Sequence, residues 1–303
     1  MNRRDFIKTT AATSALGLVG TAHSNSSKTA AIATRAIPSS GEPLPIIGLG
    51  TWQTFDVGSN NTARTALKPV LTNMVAAGAT VVDSSPMYGS SETVVGDLAA
   101  ELGLTDKLFM ATKVWTTGEN AGIRQMEQSM QKMRAPKMDL MQVHNLLDVE
   151  THLKTLAAWK REGRVRYGGL THYHSGGYAD MKRLMLNHDI DFMQINYSMF
   201  SREAEEELLP LAADRGIATL INRPFEAGRA FQHFRGKELP EWAGEFDCHS
   251  WGQFALKFIL SNPAVTCVIP GTSKVKHMLD NLQAGRGKLP SAEHRKRMLA
   301  LIS

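Results

Sequence analysis

Val81–Gly89 reads VVDSSPMYG, and the fold is decided there. Thr80, Val81 and Val82 are β-branched, and three such residues in a row predict extended backbone. Ser84, Ser85, Pro86 and Gly89 are loop residues. An acid, Asp83, therefore leaves the end of a strand, and a phenol, Tyr88, follows five residues later on the loop. In a chain that alternates strands and helices, loops after strands are where active sites are built. Alone, the stretch also suits a surface loop with a satisfied acid and a packed tyrosine, so the rest of the chain must decide.

Outward from it, the pattern repeats. Apolar strand-like runs are predicted at Ile46–Gly50, Thr80–Asp83, Lys107–Lys113, Met138–His144, Val165–Thr171, Phe192–Tyr197, Ile217–Asn222 and Val265–Pro270. Between them, helical spacing runs through Asn61–Ala77, Glu92–Leu102, Ala121–Met133, Thr151–Arg161, Tyr178–Leu186, Arg202–Asp214, Ser250–Leu260 and Lys274–Ala284, several stopped by glycine. A final helix is predicted within Pro290–Leu301. The segments Thr34–Ile37 and Leu44–Pro45 flank a Pro-Ser-Ser-Gly turn and predict a short N-terminal β-hairpin. Eight alternations point to an α/β chain folded as a parallel (β/α)8 TIM barrel from residue 34 to 303. No GxGxxG follows the first strand, so a Rossmann dinucleotide site is not indicated.

The chain has 303 residues, 43% of them hydrophobic and 21% charged, as in a globular protein with one large core. Its formal net charge of +5 lies partly in the first residues and is too small to argue for a nucleic-acid partner. Two cysteines, Cys248 and Cys267, make no disulfide framework, and Cys267 sits in an apolar run that predicts a buried thiol. Residues 1–22 open with Arg3-Arg4 and continue into a mild Ala/Thr/Gly-rich stretch. They resemble a twin-arginine export signal, which implies the export machinery as a partner and a periplasmic or exported location. The stretch is too short for a stable membrane span, which needs roughly 20 apolar residues. Residues 23–33 are small and polar and read as a linker.

Chemistry gathers at the predicted strand ends. Asp83 ends the second strand with Tyr88 on its loop, Lys113 ends the third, and His144 ends the fourth. In a barrel these ends converge on one mouth. Each has a plain structural alternative, a loop cap, a solvated lysine or a packed histidine, but their conjunction at adjacent strand ends argues for one site.

With these residues in place, the chain resembles the aldo/keto reductase superfamily. The resemblance rests on IIGLGTW (Ile46–Trp52), VVDSSPMYG, ATKVW (Ala111–Trp115), DLMQVHN (Asp139–Asn145), FMQINY and VIPGTSKVKHMLDN (Val268–Asn281), in that order along the chain. It implies NADPH-linked reduction of a small aldehyde or ketone, or the reverse alcohol oxidation. It implies Tyr88 as general acid, Lys113 and Asp83 as its ion pair, and His144 as the group that orients the substrate oxygen. A free phenol has a pKa of roughly 10, and a neighbouring cation is expected to lower it. Trp52 and Trp115 are expected to wall the substrate pocket, with ordinary aromatic packing as the alternative.

The resemblance also implies a cofactor surface. Gly50 and Thr51 match its turn, and Gln194 matches the residue that takes the nicotinamide amide. Thr272, Ser273 and Lys274 open a helix that suits the adenosine 2′-phosphate, with Asp280 and Asn281 near adenine. Three positions depart from the family pattern. Thr171-His172 stands where many relatives have Ser-Asn. Asn222, followed by Arg223, stands where many have an aromatic that stacks on nicotinamide. His277 stands where an arginine often grips the 2′-phosphate. NADPH is the expected cofactor, and a looser clamp lets NADH compete. The aromatic residues of the insertion Gly228–Asp247 and its flank, Phe225, Phe231, Phe234 and Trp242, are expected to pack rather than form a lid. A second function class stays open: a sensor that keeps the barrel and the cofactor but turns over little.

Overall fold

The structure is a computed structural model that describes residues 31–302. The export segment read at residues 1–22 lies outside the described residues. Strands β1 (Thr34–Ala36) and β2 (Pro43–Pro45) pair antiparallel as the expected hairpin. Eight parallel strands follow: β3 (Leu49–Gly50), β4 (Val81–Asp83), β5 (Phe109–Val114), β6 (Met138–His144), β7 (Val165–Thr171), β8 (Phe192–Asn196), β9 (Ala218–Asn222) and β10 (Cys267–Val268). They pair in sequence order. The ring closes through parallel bridges Ile47–Val268 and Gly50–Gly271, with Gly48 N donating to Val268 O at 2.9 Å and Val268 N to Ile46 O at 2.9 Å. Gly50 is a glycine for a steric reason: a Cβ there would lie 2.8 Å from Ile269 O.

Helices α1 (Asn61–Ala76), α2 (Ser91–Glu101), α3 (Glu119–Lys132), α4 (Val149–Arg161), α5 (Tyr178–Asn187), α6 (Leu208–Asp214), α7 (Arg229–His233), α8 (Trp251–Leu260), α9 (Val275–Ala284) and α10 (Ala292–Ala300) surround the ring. Buried side chains form two bodies. One lies between strands and helices and includes the methionine positions Met126, Met133, Met141 and Met193. The other fills the barrel with Val81, Phe109, Ala111, Leu140, Phe192, Leu220 and Cys267, and the hairpin's Ile37 and Leu44 plug its lower end. The hairpin is tied there by Tyr167, whose hydroxyl donates to Ser40 Oγ at 2.7 Å, and by Arg166, paired with Glu42 and with Asp139.

Strand periodicity positions the site. Side chains alternate faces along a strand. Two residues beyond inward-facing Val81, Ala111, Phe192 and Leu220 therefore stand Asp83, Lys113, Gln194 and Asn222, at the upper end of the packed interior. Leu140 is followed on the same face by Gln142 and then His144.

Several boundaries differ from the sequence reading. Lys107 ends a 3-10 turn (Thr105–Lys107), so the third barrel strand starts at Phe109. The eighth strand contracts to Cys267–Val268. The helix expected over Arg202–Asp214 begins only at Leu208, which puts Pro210, without an N–H to donate, in the helix's first turn. Residues 32 and 33, read as linker, belong to the barrel: Ile32 is buried in the core, and Ala33 N donates to Gly285 O at 2.9 Å. Phe234 stacks on Trp251 with centroids 3.9 Å apart, and Trp242 packs against Phe254, as expected. Phe225 packs against the core and against Phe231, with ring centroids 4.8 Å apart, as expected, and both also line the large cavity at the barrel mouth.

Candidate active site

That cavity, about 760 Å³, opens at the C-terminal ends of the strands and is lined by Gly50, Thr51, Asp83, Tyr88, His144, Gln194, Asn222 and Arg223, among others. It falls in the size range of small-molecule and cofactor pockets. Lys113 lies beneath it, outside the lining, in contact with Asp83. The lysine is fully buried and donates to Asp83 Oδ2 at 2.7 Å and to Ser84 O at 2.6 Å. Its ammonium lies 5.0 Å from the Tyr88 ring centroid. The second carboxylate oxygen of Asp83 accepts from Gln194 Nε2 at 2.8 Å and from Gln142 Nε2 at 3.2 Å. A buried carboxylate with one cation and two amide donors is a satisfied group, which keeps an otherwise costly ion pair in place.

The loop carrying Tyr88 is equally fixed. Thr51 Oγ1 donates to Asp83 O at 2.9 Å, and Tyr88 N donates to Ser85 O at 3.0 Å. Gly89 has φ of 57°, and a Cβ there would lie 2.4 Å from the Asp56 carboxylate, so only glycine fits. Asp56 Oδ1 in turn accepts from Ser90 N at 2.8 Å.

Electrostatics correct one expectation. Burial raises the Tyr88 pKa more than the Lys113 charge lowers it, and Asp83 adds to the rise, so the phenol stands above its ordinary value. Burial opposes the Lys113 ammonium, but Asp83 and Tyr88 outweigh that and hold its pKa above normal. His144 is driven down to about 3 by burial, then by the charges of Lys113 and His172. Around neutral pH the site therefore holds a protonated phenol, an ammonium and a neutral imidazole.

Of the residues read from sequence, the cavity brings together Asp83, Tyr88, His144, Gly50, Thr51, Trp52, Trp115, Gln194, Asn222 and Arg223, with Lys113 beneath. Thr171, His172, Thr272, Ser273, Lys274, His277, Asp280 and Asn281 stand outside its lining. The Thr171 hydroxyl donates to Gln194 Oε1 at 3.1 Å. His172 turns its Nδ1 to His174 O at 2.9 Å. Asp280 accepts from Ser250 Oγ at 2.7 Å and Gln253 Nε2 at 2.8 Å, tying α9 to α8. Lys274 and His277 are exposed at the start of α9, which has no acid in its first turn and no side-chain cap. Such an end presents free N–H groups and positive potential.

Sequence reasoning missed Gln142, Ser85, Asn145 and Tyr173. Gln142 had a signal, an amide two residues before His144 in the strand MDLMQVH, which period 2 places on the same face. Asn222 Oδ1 and Asn145 Oδ1 are buried without a hydrogen-bond partner among the described residues, and both residues line the cavity. Orphan acceptors in a pocket wall fit a ligand that brings N–H donors, as a carboxamide does. Among the described residues, Trp52, Met87, Trp115, Tyr173 and Phe231 are exposed large apolar side chains that line this same cavity.

Comparison with known proteins agrees with this geometry. An Escherichia coli (strain K12) protein, methylglyoxal reductase YeaE, is 26% identical over 260 residues, covering 82% of this chain and 88% of that one. The structure of an aldo/keto reductase from Klebsiella pneumoniae in complex with NADP and acetate superposes with a TM-score of 0.74 at 23% identity, over 86% of this chain and 92% of that one. The Klebsiella pneumoniae aldo-keto reductase structure in complex with NADPH gives 0.75 at 23% identity, over 89% and 95%. Residues 1–20 match the twin-arginine translocation signal sequence, which indicates export. Residues 46–297 match the model of the aldo/keto reductase family, and the chain belongs to that family.

Proposed function

We propose that this protein reduces aldehydes or ketones to alcohols with NADPH as hydride source and Tyr88 as proton donor. The observation that carries the reading is the buried Asp83–Lys113 pair lying under the Tyr88 ring at the floor of an open, apolar-walled cavity. A bound nicotinamide supplies the hydride. The chain's own residues handle the oxygen. Charge developing on the carbonyl oxygen needs a proton and a positive field. Tyr88 delivers its phenolic proton to that oxygen, and Lys113 stabilises the phenolate left behind. Neutral His144 donates a hydrogen bond that holds the oxygen against Tyr88. Gln194, Asn222, Gly50 and Thr51 would hold the nicotinamide end of the cofactor, Arg223 would offer its charge to the phosphates, and the α9 start with Thr272, Ser273, Lys274 and His277 would take the 2′-phosphate. The Trp52, Met87, Trp115 and Phe231 side chains favour a carbonyl compound with an apolar body.

Titration of the purified protein with NADPH and NADH, followed by a carbonyl panel with the tighter cofactor, tests the reading. NADPH binding with turnover of apolar aldehydes is the expected result. Binding without turnover moves the assignment to a cofactor-binding sensor, and binding of neither leaves only the family and the barrel. We further place the protein in the periplasm, reached by twin-arginine export.

The pH dependence follows from His144. Its folded pKa is depressed to about 3, so it is already a neutral imidazole and does not titrate between pH 5 and 8. The Tyr88 phenol, raised above its usual value, also stays protonated there. The reduction rate measured with saturating cofactor is therefore expected to be flat across that range. An inflection near 6.5, absent in His144→Gln, would show that the imidazole titrates in the working site.

A further inference from the structure

We propose that Ser85 is a positioning residue for the reduction: its hydroxyl donates to His144 Nδ1 and thereby fixes the ring proton on Nε2, the nitrogen that meets the substrate oxygen. This deepens the reductase reading and rests on it. Ser85 is fully buried, and its Oγ lies 3.1 Å from His144 Nδ1. A buried hydroxyl must place its single proton on an acceptor. Met87 N donates to Ser85 Oγ at 3.3 Å and so uses one lone pair, and among the described residues His144 Nδ1 is the one acceptor in contact with that hydroxyl. A neutral imidazole has one N–H, so accepting at Nδ1 leaves the proton on Nε2. That nitrogen has no hydrogen-bond partner among the described residues, and it is not among their buried unpaired atoms. His144 lines the cavity, so Nε2 is the atom it offers there. The opposite tautomer would present a lone pair to the carbonyl oxygen and repel it.

Ser85 holds the ring from the same short loop that carries the proton donor. Tyr88 N donates to Ser85 O, and the Tyr88 and His144 rings meet edge-on with centroids 6.1 Å apart. The two groups that act on the substrate oxygen are thus set relative to each other by one serine, through its carbonyl for one and its hydroxyl for the other.

The test reads the tautomer directly. The imidazole nitrogen shifts of His144, assigned by comparison with His144→Gln, are measured by NMR in the wild type and in Ser85→Ala. The wild type is expected to show the Nε2–H form. Ser85→Ala is expected to lose that preference and to lower kcat about tenfold, the worth of one oriented hydrogen bond, with cofactor affinity unchanged. Ser85→Thr, which keeps the hydroxyl, is expected to restore both. An Nδ1–H form in the wild type, or an unchanged tautomer in Ser85→Ala, overturns the proposal. The wild-type spectrum decides the tautomer even if a variant fails to fold. A wild type that shows Nε2–H but reduces no carbonyl with either cofactor defeats the reductase reading while leaving the serine–histidine bond established.

Discussion

Tyr88→Phe is expected to lower carbonyl reduction by about 10²- to 10⁴-fold, the usual contribution of a positioned general acid, with little change in NADPH affinity or in stability. The size follows from what the substitution removes. The phenyl ring stays, so the edge contact with His144 and the place above Lys113 survive. Lys113 keeps Asp83 Oδ2 and Ser84 O as partners, so no buried charge is stranded. The hydroxyl's hydrogen bond with Lys113 goes as well, but the loss that matters to the rate is the transferable proton. Neither remaining group can replace it. Lys113 is committed to its pair and has a raised pKa, and His144, pushed down to about 3, is a neutral imidazole rather than an imidazolium acid at any working pH. The loss should therefore fall on kcat rather than KM, because the interaction is made chiefly in the transition state. Steady-state kinetics with an apolar aldehyde checks this. A variant within tenfold of wild type would remove Tyr88 as the donor and send the search to a water held by Asn145 or His144.

The raised Tyr88 pKa also bears on direction. A phenol that holds its proton tightly suits reduction, in which it starts protonated. The reverse reaction, alcohol oxidation, needs the phenolate and gains with rising pH. The same burial that opposes phenolate in the resting site dries the oxygen's surroundings and strengthens the field of Lys113 at the moment charge develops.

The residues proposed for catalysis were legible because Asp83, Lys113 and His144 stand at or next to the ends of strands with strong local signatures, and Tyr88 follows on the loop after the first of them. Val81 and Val82 make the backbone extended, period 2 then turns Asp83 inward, and the Ser-Ser-Pro run ends the strand before Tyr88. Lys113 and His144 repeat that logic. What pairwise contacts decide was not legible. Gln142 and Gln194 come from β6 and β8, 52 residues apart in sequence, and meet on one carboxylate oxygen of Asp83. Nothing local says that Ser85, a loop residue by type, lies against Nδ1 of a histidine on another strand. The direction of the Tyr88 shift was missed for a related reason: sequence shows that a cation is near but not how little water is. That Phe225 and Phe231 line the cavity as well as pack was not legible, because a ring looks the same in sequence whether it faces a core or a cavity. The α9 region was legible as a helix start but not as a surface set apart from the cavity lining, since the depth of the mouth depends on how the loops after β7 and β9 fold over it.

Lys113→Met is expected to cost about 3–5 kcal/mol of stability, the penalty for stranding one member of a buried ion pair, and to abolish measurable reduction. Both effects come from one place. Methionine fills most of the lysine's volume, so the packing of the barrel interior changes little. What remains is Asp83, 2% exposed, with two amide donors and no counter-charge. Asp83→Asn is expected to be destabilising too, since it leaves the fully buried Lys113 ammonium without its counter-charge. The double variant removes both charges at once, and replacing a buried pair with neutral groups is often close to neutral in stability. Chemical denaturation of the two single variants and the double variant therefore forms a cycle in which the single losses do not add. Stability should return in large part in the double variant, whereas reduction should not, because no cation then stands beneath Tyr88 to stabilise the phenolate. Full additivity of the losses would mean that the pair is not energetically coupled. Recovery of activity along with stability would mean that Lys113 serves the fold alone, and that the positive field at the substrate oxygen comes from elsewhere in the cavity, with Arg223 the first residue to test.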